Sequence, residues 1–387
     1  MVLLGHLIML FWPHVVAPEI YPTRVSQQET YLAVSPLSLL WDGRLAVPIF
    51  FVLSGYVLTA SVIGGRRVPV LPALIAKRYL RLALPVLASS VLALLFIPAG
   101  LYYLPEVALV TRSEWLVTTL PPDFQPTVGA WLFESLWSTF FDYRNSYFNP
   151  ALWTLHYEFE GSLLCYALCS LFPDGKRRAI TATFLLVACG LWTRSLPLHL
   201  FMAGALLYDL PRLVSWRPTA LQGNVLGLLF ILGGVVLPRL LAILPGTVAW
   251  PFLFRAWLAD VLPFWRGDRF STAAVLTVAG LCLAPSLRRL FSGPVFRFLG
   301  AISFPLYLTH LPVLFSAVCL AFLTLAGWMS ETSAALLAIV LGAALSLAVA
   351  ALATLLVERP SLACSRRAGA WIDGLWRRTF PRESAQN

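Results

Sequence analysis

Lys77-Arg78-Tyr79-Leu80-Arg81 is a short basic run between two long segments that carry no charge, 47–63 and 82–104. Lysine and arginine beside a membrane span stay on the cytoplasmic side, so this run sets which way its neighbours face. The same alternation of apolar segment and polar break recurs in both directions. Apolar segments at 2–16, 47–63, 82–104, 153–172, 179–192, 196–208, 221–237, 271–285, 299–325 and 334–357 predict ten spans. Of the 28 Lys and Arg residues, 19 fall in alternate loops at 64–81, 173–178, 209–217, 287–297 and 358–387. That asymmetry puts those loops and both termini in the cytoplasm. The expected fold class is all-α: a polytopic membrane helix bundle of about ten transmembrane helices.

Composition agrees. The chain is 59% hydrophobic and 12% charged, where a soluble domain carries about a quarter charged residues. The net charge of +10 sits in the alternate loops, so it reads as a topology signal and gives no case for nucleic acid. The six cysteines are scattered. Cys165 and Cys169 share a helix face, but no second pair completes a metal site, so the expectation is no metal and apolar packing. The first span lacks the basic stretch that opens a secretory signal. The 105–150 connection is long and rich in aromatics, and its 128–141 part has the pattern of an interfacial amphipathic helix. The 238–270 segment carries Arg255 and Asp260 within an aromatic stretch, which suggests a dip into the membrane and back. Residues 361–387 read as a basic cytoplasmic tail, disordered at its end.

Ionisable groups inside spans are expensive, which makes them candidate site residues. The set here is His6, His14, His156, Glu158, Glu160, His199 and His310. His6 and His310 lie well inside their spans, while His14 and His199 lie nearer span ends. Imidazole is the usual general base near neutral pH, although a packed, hydrogen-bonded histidine is the simpler alternative at each position. Glu158 and Glu160 are two apart and point to different sides of a helix, so one pocket would not use both. Arg78 and Arg81, three apart, share a helix face and make a fork suited to phosphate oxygens, with a plain topology role as the alternative. Ser54-Gly55 is a small pair among bulky residues, fit for close helix packing or for lining a pocket.

Several stretches together resemble membrane acyltransferase family 3, the integral-membrane O-acyltransferases. Gly5-His6 is similar to the end of the family's first-helix Arg-x10-His motif, and 47–56, ending Phe-Val-Leu-Ser-Gly-Tyr, to its second-helix signature. Arg78-Tyr-Leu-Arg81 resembles its cytoplasmic Arg-x-x-Arg, and Trp153-Thr-Leu-His-Tyr-Glu158 its Trp-Ser/Thr-Leu-x-x-Glu. The block 299–312, which contains Tyr307 and His310, resembles the penultimate helix, and Glu358-Arg-Pro360 the closing motif. The resemblance implies a membrane acyltransferase domain over 1–360. It implies transfer of an acyl group, often acetyl, from cytoplasmic acyl-CoA to a hydroxyl of a glycan, lipid or small metabolite. No tightly bound cofactor is implied; acyl-CoA is a co-substrate. Arg78 and Arg81 would bind its phosphates, and His6 would act as general base or acyl carrier. Glu158 and His310 would steady the acceptor or the oxyanion, and Ser54, Trp153 and Tyr307 would line the substrate site. One departure stands out: the family's arginine, eleven positions before the histidine, would fall ahead of Met1. Either the given sequence starts inside the family's first helix or this member lacks that arginine; in both cases the expectation is a first span, as given, without the charge that would partner His6. A polytopic transporter or flippase is a competing reading, but it favours inverted repeats, and none is evident. A lipid-sugar-dependent glycosyltransferase would want an acidic pair in the first outer loop, where Glu19 and Glu29 stand ten apart.

Overall fold

The computed structural model describes residues 1–23, 27–65, 69–121, 123–142, 146–192, 197–243 and 269–380. Among these residues the regular structure is helical, with no strand. The helices used below are α1 (Val2–Phe11), α2 (Gly43–Ile63), α3 (Leu71–Phe96), α4 (Glu114–Thr119), α5 (Val128–Phe133), α6 (Trp153–Leu171), α7 (Gly175–Trp192) and α8 (Leu198–Leu213). They continue with α9 (Ala220–Ile243), α10 (Arg269–Leu283), α11 (Pro294–Val313), α12 (Cys319–Ala326), α13 (Glu331–Ala353) and α14 (Arg359–Thr379).

Four helical stretches among the described residues are long and apolar enough to cross a membrane: Gly43–Ile63, Leu71–Phe96, Pro294–Ala326 and Glu331–Thr379. A fifth is Phe270–Leu283 with Pro285–Phe291, a pair bent by 96° where Pro285 follows. The α3 helix begins upstream of the expected 82–104 span, so the Lys77–Arg81 run lies on a helix and not in a loop. At about 39 Å, α3 is longer than the roughly 30 Å hydrocarbon layer, which leaves a turn or two for charged residues. It ends at Phe96, and Gly100 soon afterwards takes a positive φ of 67°. The α1 helix stops at Phe11 because Pro13 follows and the residue before a proline avoids helical geometry. Most of the expected re-entrant segment, 244–268, lies outside the described residues, as do 381–387.

The chain divides into two compact units. One comprises Met1–Gly43, Arg81–His156 and Val295–Leu362; the other comprises Arg44–Leu80, Tyr157–Pro294 and Ala363–Asn387. Within the first, Leu7, Leu10 and Phe11 of α1 pack with Leu311, Leu314, Phe315 and Phe322 and with the alanines of α13. Small residues permit that approach: a Cβ at Gly5 would lie 2.6 Å from the Trp41 carbonyl oxygen, and one at Gly342 would lie 2.9 Å from Leu7. Within the second unit, α2 and α8 meet through reciprocal glycines. A Cβ at Gly55 would overlap the Phe201 carbonyl, and one at Gly204 the Val52 carbonyl. Lipid tails are as apolar as leucine, so close backbone approach and buried polar bonds, more than the hydrophobic effect, hold such helices together. The second unit also contains a fully buried ion pair, Arg178 Nε and Nη2 to Asp209 at 2.8 and 2.6 Å. Arg178 Nη1 donates to the Phe172 and Pro173 carbonyls, so four of the five guanidinium N–H groups are engaged. Among the described residues three π turns interrupt the helices, at Glu134–Ser138, Leu314–Val318 and Thr354–Glu358.

Candidate active site

His6 lies midway along α1 and His310 near the end of α11, 304 residues apart in sequence. Their rings meet: His6 Nδ1 is 2.7 Å from His310 Nε2. The other nitrogen of His310, Nδ1, is 3.0 Å from the Leu306 carbonyl oxygen one turn back on its own helix. A carbonyl can only accept, so His310 carries its proton on Nδ1, and its Nε2 is then a bare acceptor. His6 must therefore donate from Nδ1, which leaves His6 Nε2 with an open lone pair. Among the described residues nothing bonds that nitrogen. The two imidazoles are edge to edge and nearly coplanar, with centroids 5.0 Å apart and 7° between planes, as an in-plane N–H···N bond requires, and the Trp115 indole of α4 lies 5.6 Å from the His6 ring, 7° from parallel. The local sequence builds this arrangement: Gly5 lets α1 close on Trp41 next to His6, and Leu7 is buried on the other side.

The neighbourhood of His310 is bolted to the segment that leads into α6. Asn149 Nδ2 donates to the Leu308 carbonyl at 2.7 Å, and its Oδ1 accepts the Ala151 N–H at 3.1 Å. Tyr307 donates its hydroxyl to the Ala151 carbonyl and lies 2.7 Å from Thr154 Oγ1. Trp153, which opens α6, is 41% exposed. Upstream, Glu134 is buried in the first π turn, and its two carboxylate oxygens accept the N–H groups of Tyr147 and Phe148 at 3.2 Å each. Burial pushes this carboxyl up to about 7, against the opposing pull of the backbone N–H groups of Tyr147, Phe148 and Asn149.

The remaining expected residues lie as follows. Arg78 is buried, with Nε donating to Ser162 Oγ at 2.8 Å and Nη2 paired with Glu158. Among the described residues nothing bonds its Nη1. Arg81, one turn further along α3, is exposed, as is Lys77. Glu158, expected near an acceptor, is thus engaged by the arginine expected at the donor; Glu160 is half-buried. Ser54 is half-buried on α2 beside Gly55, whose contact with Phe201 is helix packing. His14 is bound at both nitrogens, Nδ1 2.7 Å from the Tyr21 carbonyl oxygen and Nε2 3.0 Å from Thr30 Oγ1, which suits a structural role in the following loop. His199 Nε2 is 3.2 Å from Ser271 Oγ. No group of three or more His, Cys, Asp or Glu among the described residues is arranged to hold a metal ion.

Sequence reasoning passed over Trp115, Asn149, Glu134 and the Arg178–Asp209 pair. A lone glutamate within the amphipathic 128–141 pattern was a legible signal for Glu134; the others depend on contacts between distant segments.

A helical membrane protein with a paired imidazole inside one of its units has the make-up of an integral-membrane enzyme. The family model described as "Acyltransferase domain" matches residues 1–355. The chain belongs to that family, membrane acyltransferase family 3, and is a membrane acyltransferase. Searches of curated proteins and of solved structures returned no match.

Proposed function

We propose that this acyltransferase moves an acyl group, acetyl in the first instance, from cytoplasmic acyl-CoA to a hydroxyl of a glycan, lipid or small metabolite. His6 is the general base. The single observation that carries this reading is the contact chain from the Leu306 carbonyl to His310 Nδ1 at 3.0 Å and from His310 Nε2 to His6 Nδ1 at 2.7 Å, from which His6 Nε2 is assigned as unprotonated. In the reaction the acceptor hydroxyl gives its proton to His6 Nε2 as its oxygen adds to the thioester carbonyl. The tetrahedral intermediate collapses with loss of the CoA thiolate, which recovers the proton from His6. The products are an ester and free CoA thiol. As His6 becomes an imidazolium, its Nδ1–H bond to His310 becomes charge-assisted and strengthens, so the pair stabilises the charged state of the reaction more than the resting one. His310 is thus the partner that orients His6.

Arg78 and Arg81 take the CoA phosphates in this reading. Arg78 Nη1 and the exposed Arg81 support it, and the Glu158 carboxylate fixes the Arg78 fork in place. Tyr307 and Trp153 line the acceptor side, and Ser54 contacts substrate. The topology is ten spans with both termini cytoplasmic, in a bacterial inner membrane or a eukaryotic endomembrane; the Lys and Arg asymmetry supports it.

The test is transfer from labelled acetyl-CoA by protein in lipid nanodiscs. His6→Ala should cut turnover by about 10²–10⁴-fold, the range a positioned general base supplies. Arg78→Ala/Arg81→Ala should raise the KM for acetyl-CoA. Wild-type turnover retained in His6→Ala would overturn the assignment of the base. A CoA affinity unchanged in the double variant would overturn the donor site.

A further inference from the structure

The helix that begins at Glu331 runs through the π turn at 354–358 to Thr379, 49 residues in all. At 1.5 Å per residue that is about 73 Å, more than twice the hydrocarbon thickness. A helix of that length cannot stay inside the hydrocarbon, so its basic C-terminal part, α14, must leave it. Its depth is marked by α3. A Cβ at Gly369 would lie 3.1 Å from Lys77 Cβ, and the Val70 N–H donates to Asp373 at 2.8 Å. Lys77 lies just below the uncharged 82–96 stretch of α3. The middle of α14 is therefore level with the edge of the hydrocarbon, where headgroups begin.

The outward side of α14 is built for that layer. Arg367, Trp371, Leu375 and Arg378 are spaced four, four and three apart, so they form one stripe along the helix. All four are exposed, Trp371 at 68% and Leu375 at 50%. Arg366 is exposed beside them. The helix has one acidic residue within its bounds, Asp373, and Arg377 already bonds it at 2.8 Å. Among the described residues no carboxylate pairs with Arg366, Arg367 or Arg378. A tryptophan between arginines is the side-chain set of a membrane interface, with the ring at headgroup level and the guanidinium groups on phosphate.

We propose that α14 leaves the membrane through the headgroup layer and binds anionic phospholipid there, with lipid phosphates on Arg366, Arg367 and Arg378 and with Trp371 and Leu375 packed among the headgroups. Naming this leaflet cytoplasmic rests on the topology proposed above; the lipid contact does not.

Cys364 offers a probe, because it is the exposed member of the six cysteines and lies on the same outward side. The full chain, labelled there with a fluorescent maleimide, is placed in phosphatidylcholine nanodiscs. Chain-brominated phosphatidylglycerol or chain-brominated phosphatidylcholine is added at equal mole fraction as quencher. The anionic quencher should act as if enriched about fivefold around the label, the factor that a single arginine near an anionic surface supplies. The preference should shrink at high salt and vanish in Arg366→Gln/Arg367→Gln/Arg378→Gln. It should persist in the corresponding triple lysine variant, whose fold faces the same surface change. Equal quenching by both lipids would overturn the proposal, and so would no quenching by either. A preference abolished by millimolar CoA would assign the arginines to the nucleotide instead, while leaving the transfer reaction intact.

Discussion

Replacing His310 with phenylalanine tests the proton order at the site. The ring keeps its shape and loses both nitrogens, so His6 Nδ1–H loses the acceptor now 2.7 Å away. A buried donor left without a partner costs about 1–3 kcal/mol. His6 can avoid that cost by moving its proton to Nε2, and there it blocks the lone pair that receives the acceptor's proton. Either way the catalytic tautomer becomes scarcer by that energy, which corresponds to a fall in kcat of about 5- to 150-fold. The donor site is not involved, so the KM for acetyl-CoA should stay within about twofold. His310→Gln, whose amide oxygen can accept from Nδ1, should recover part of the loss. The assay is steady-state transfer from labelled acetyl-CoA in nanodiscs, with a thermal melt on each variant. His310→Phe at wild-type kcat would refute the tautomer argument. A loss of equal size in Phe and Gln variants with unchanged melting would do the same.

Glu134 should make stability depend on pH. Its carboxyl binds a proton more tightly when folded, so the stabilisation is complete below about 4.5 and is lost as pH rises through about 7. The difference is worth about 3 kcal/mol; melting measured from pH 5 to pH 8 should fall in wild type and stay flat in Glu134→Gln. Asp209→Asn leaves the Arg178 guanidinium buried without its counter-charge and should cost about 3–5 kcal/mol, whereas Arg178→Met/Asp209→Leu should cost much less. Detergent melts of the two variants decide it, and an unmoved melting temperature in Asp209→Asn would mean that the pair is not buried. Gly55→Leu forces a side chain into the Phe201 backbone and should destabilise by about 1–3 kcal/mol or more, seen as a lower melting temperature. Trp115→Ala removes the stacked face of His6 and should lower kcat with little change in melting, since the indole is half-buried at the end of a short helix.

How far the sequence reached depends on the kind of signal. Apolar length is local, so the spans at 47–63, 299–325 and 334–357 fall on α2, α11 with α12, and α13. Their ends are less legible, because charged residues can continue a helix past the hydrocarbon: α3 takes in the whole Lys77–Arg81 run, and α14 extends α13 into the basic tail. His6 and His310 could each be singled out as costly residues inside spans. Their bond could not, since nothing in a linear chain records a contact across 304 residues. Charge counting treated Arg78 and Arg178 as solvent-facing topology signals, whereas both are buried against carboxylates. A sequence gives the sign of a side chain but not its counter-ion. Glu158 illustrates the same limit: its place in a Trp-Thr-Leu-x-x-Glu motif was readable, its partner Arg78 was not.

The π turn at Leu314–Val318 bears on how the chain tolerates length changes. It sits between His310, which faces His6, and Phe322, whose ring lies 4.8 Å from that of Phe11. A wide turn of this kind absorbs one surplus residue, so loss of a single residue there would tighten the coil and leave both ends facing the partners they have now. The same loss a few residues before His310, in regular helix, would swing the imidazole about 100° around the axis and away from α1. One-residue gaps between this chain and its natural variants should therefore gather at 314–318 and avoid 300–309.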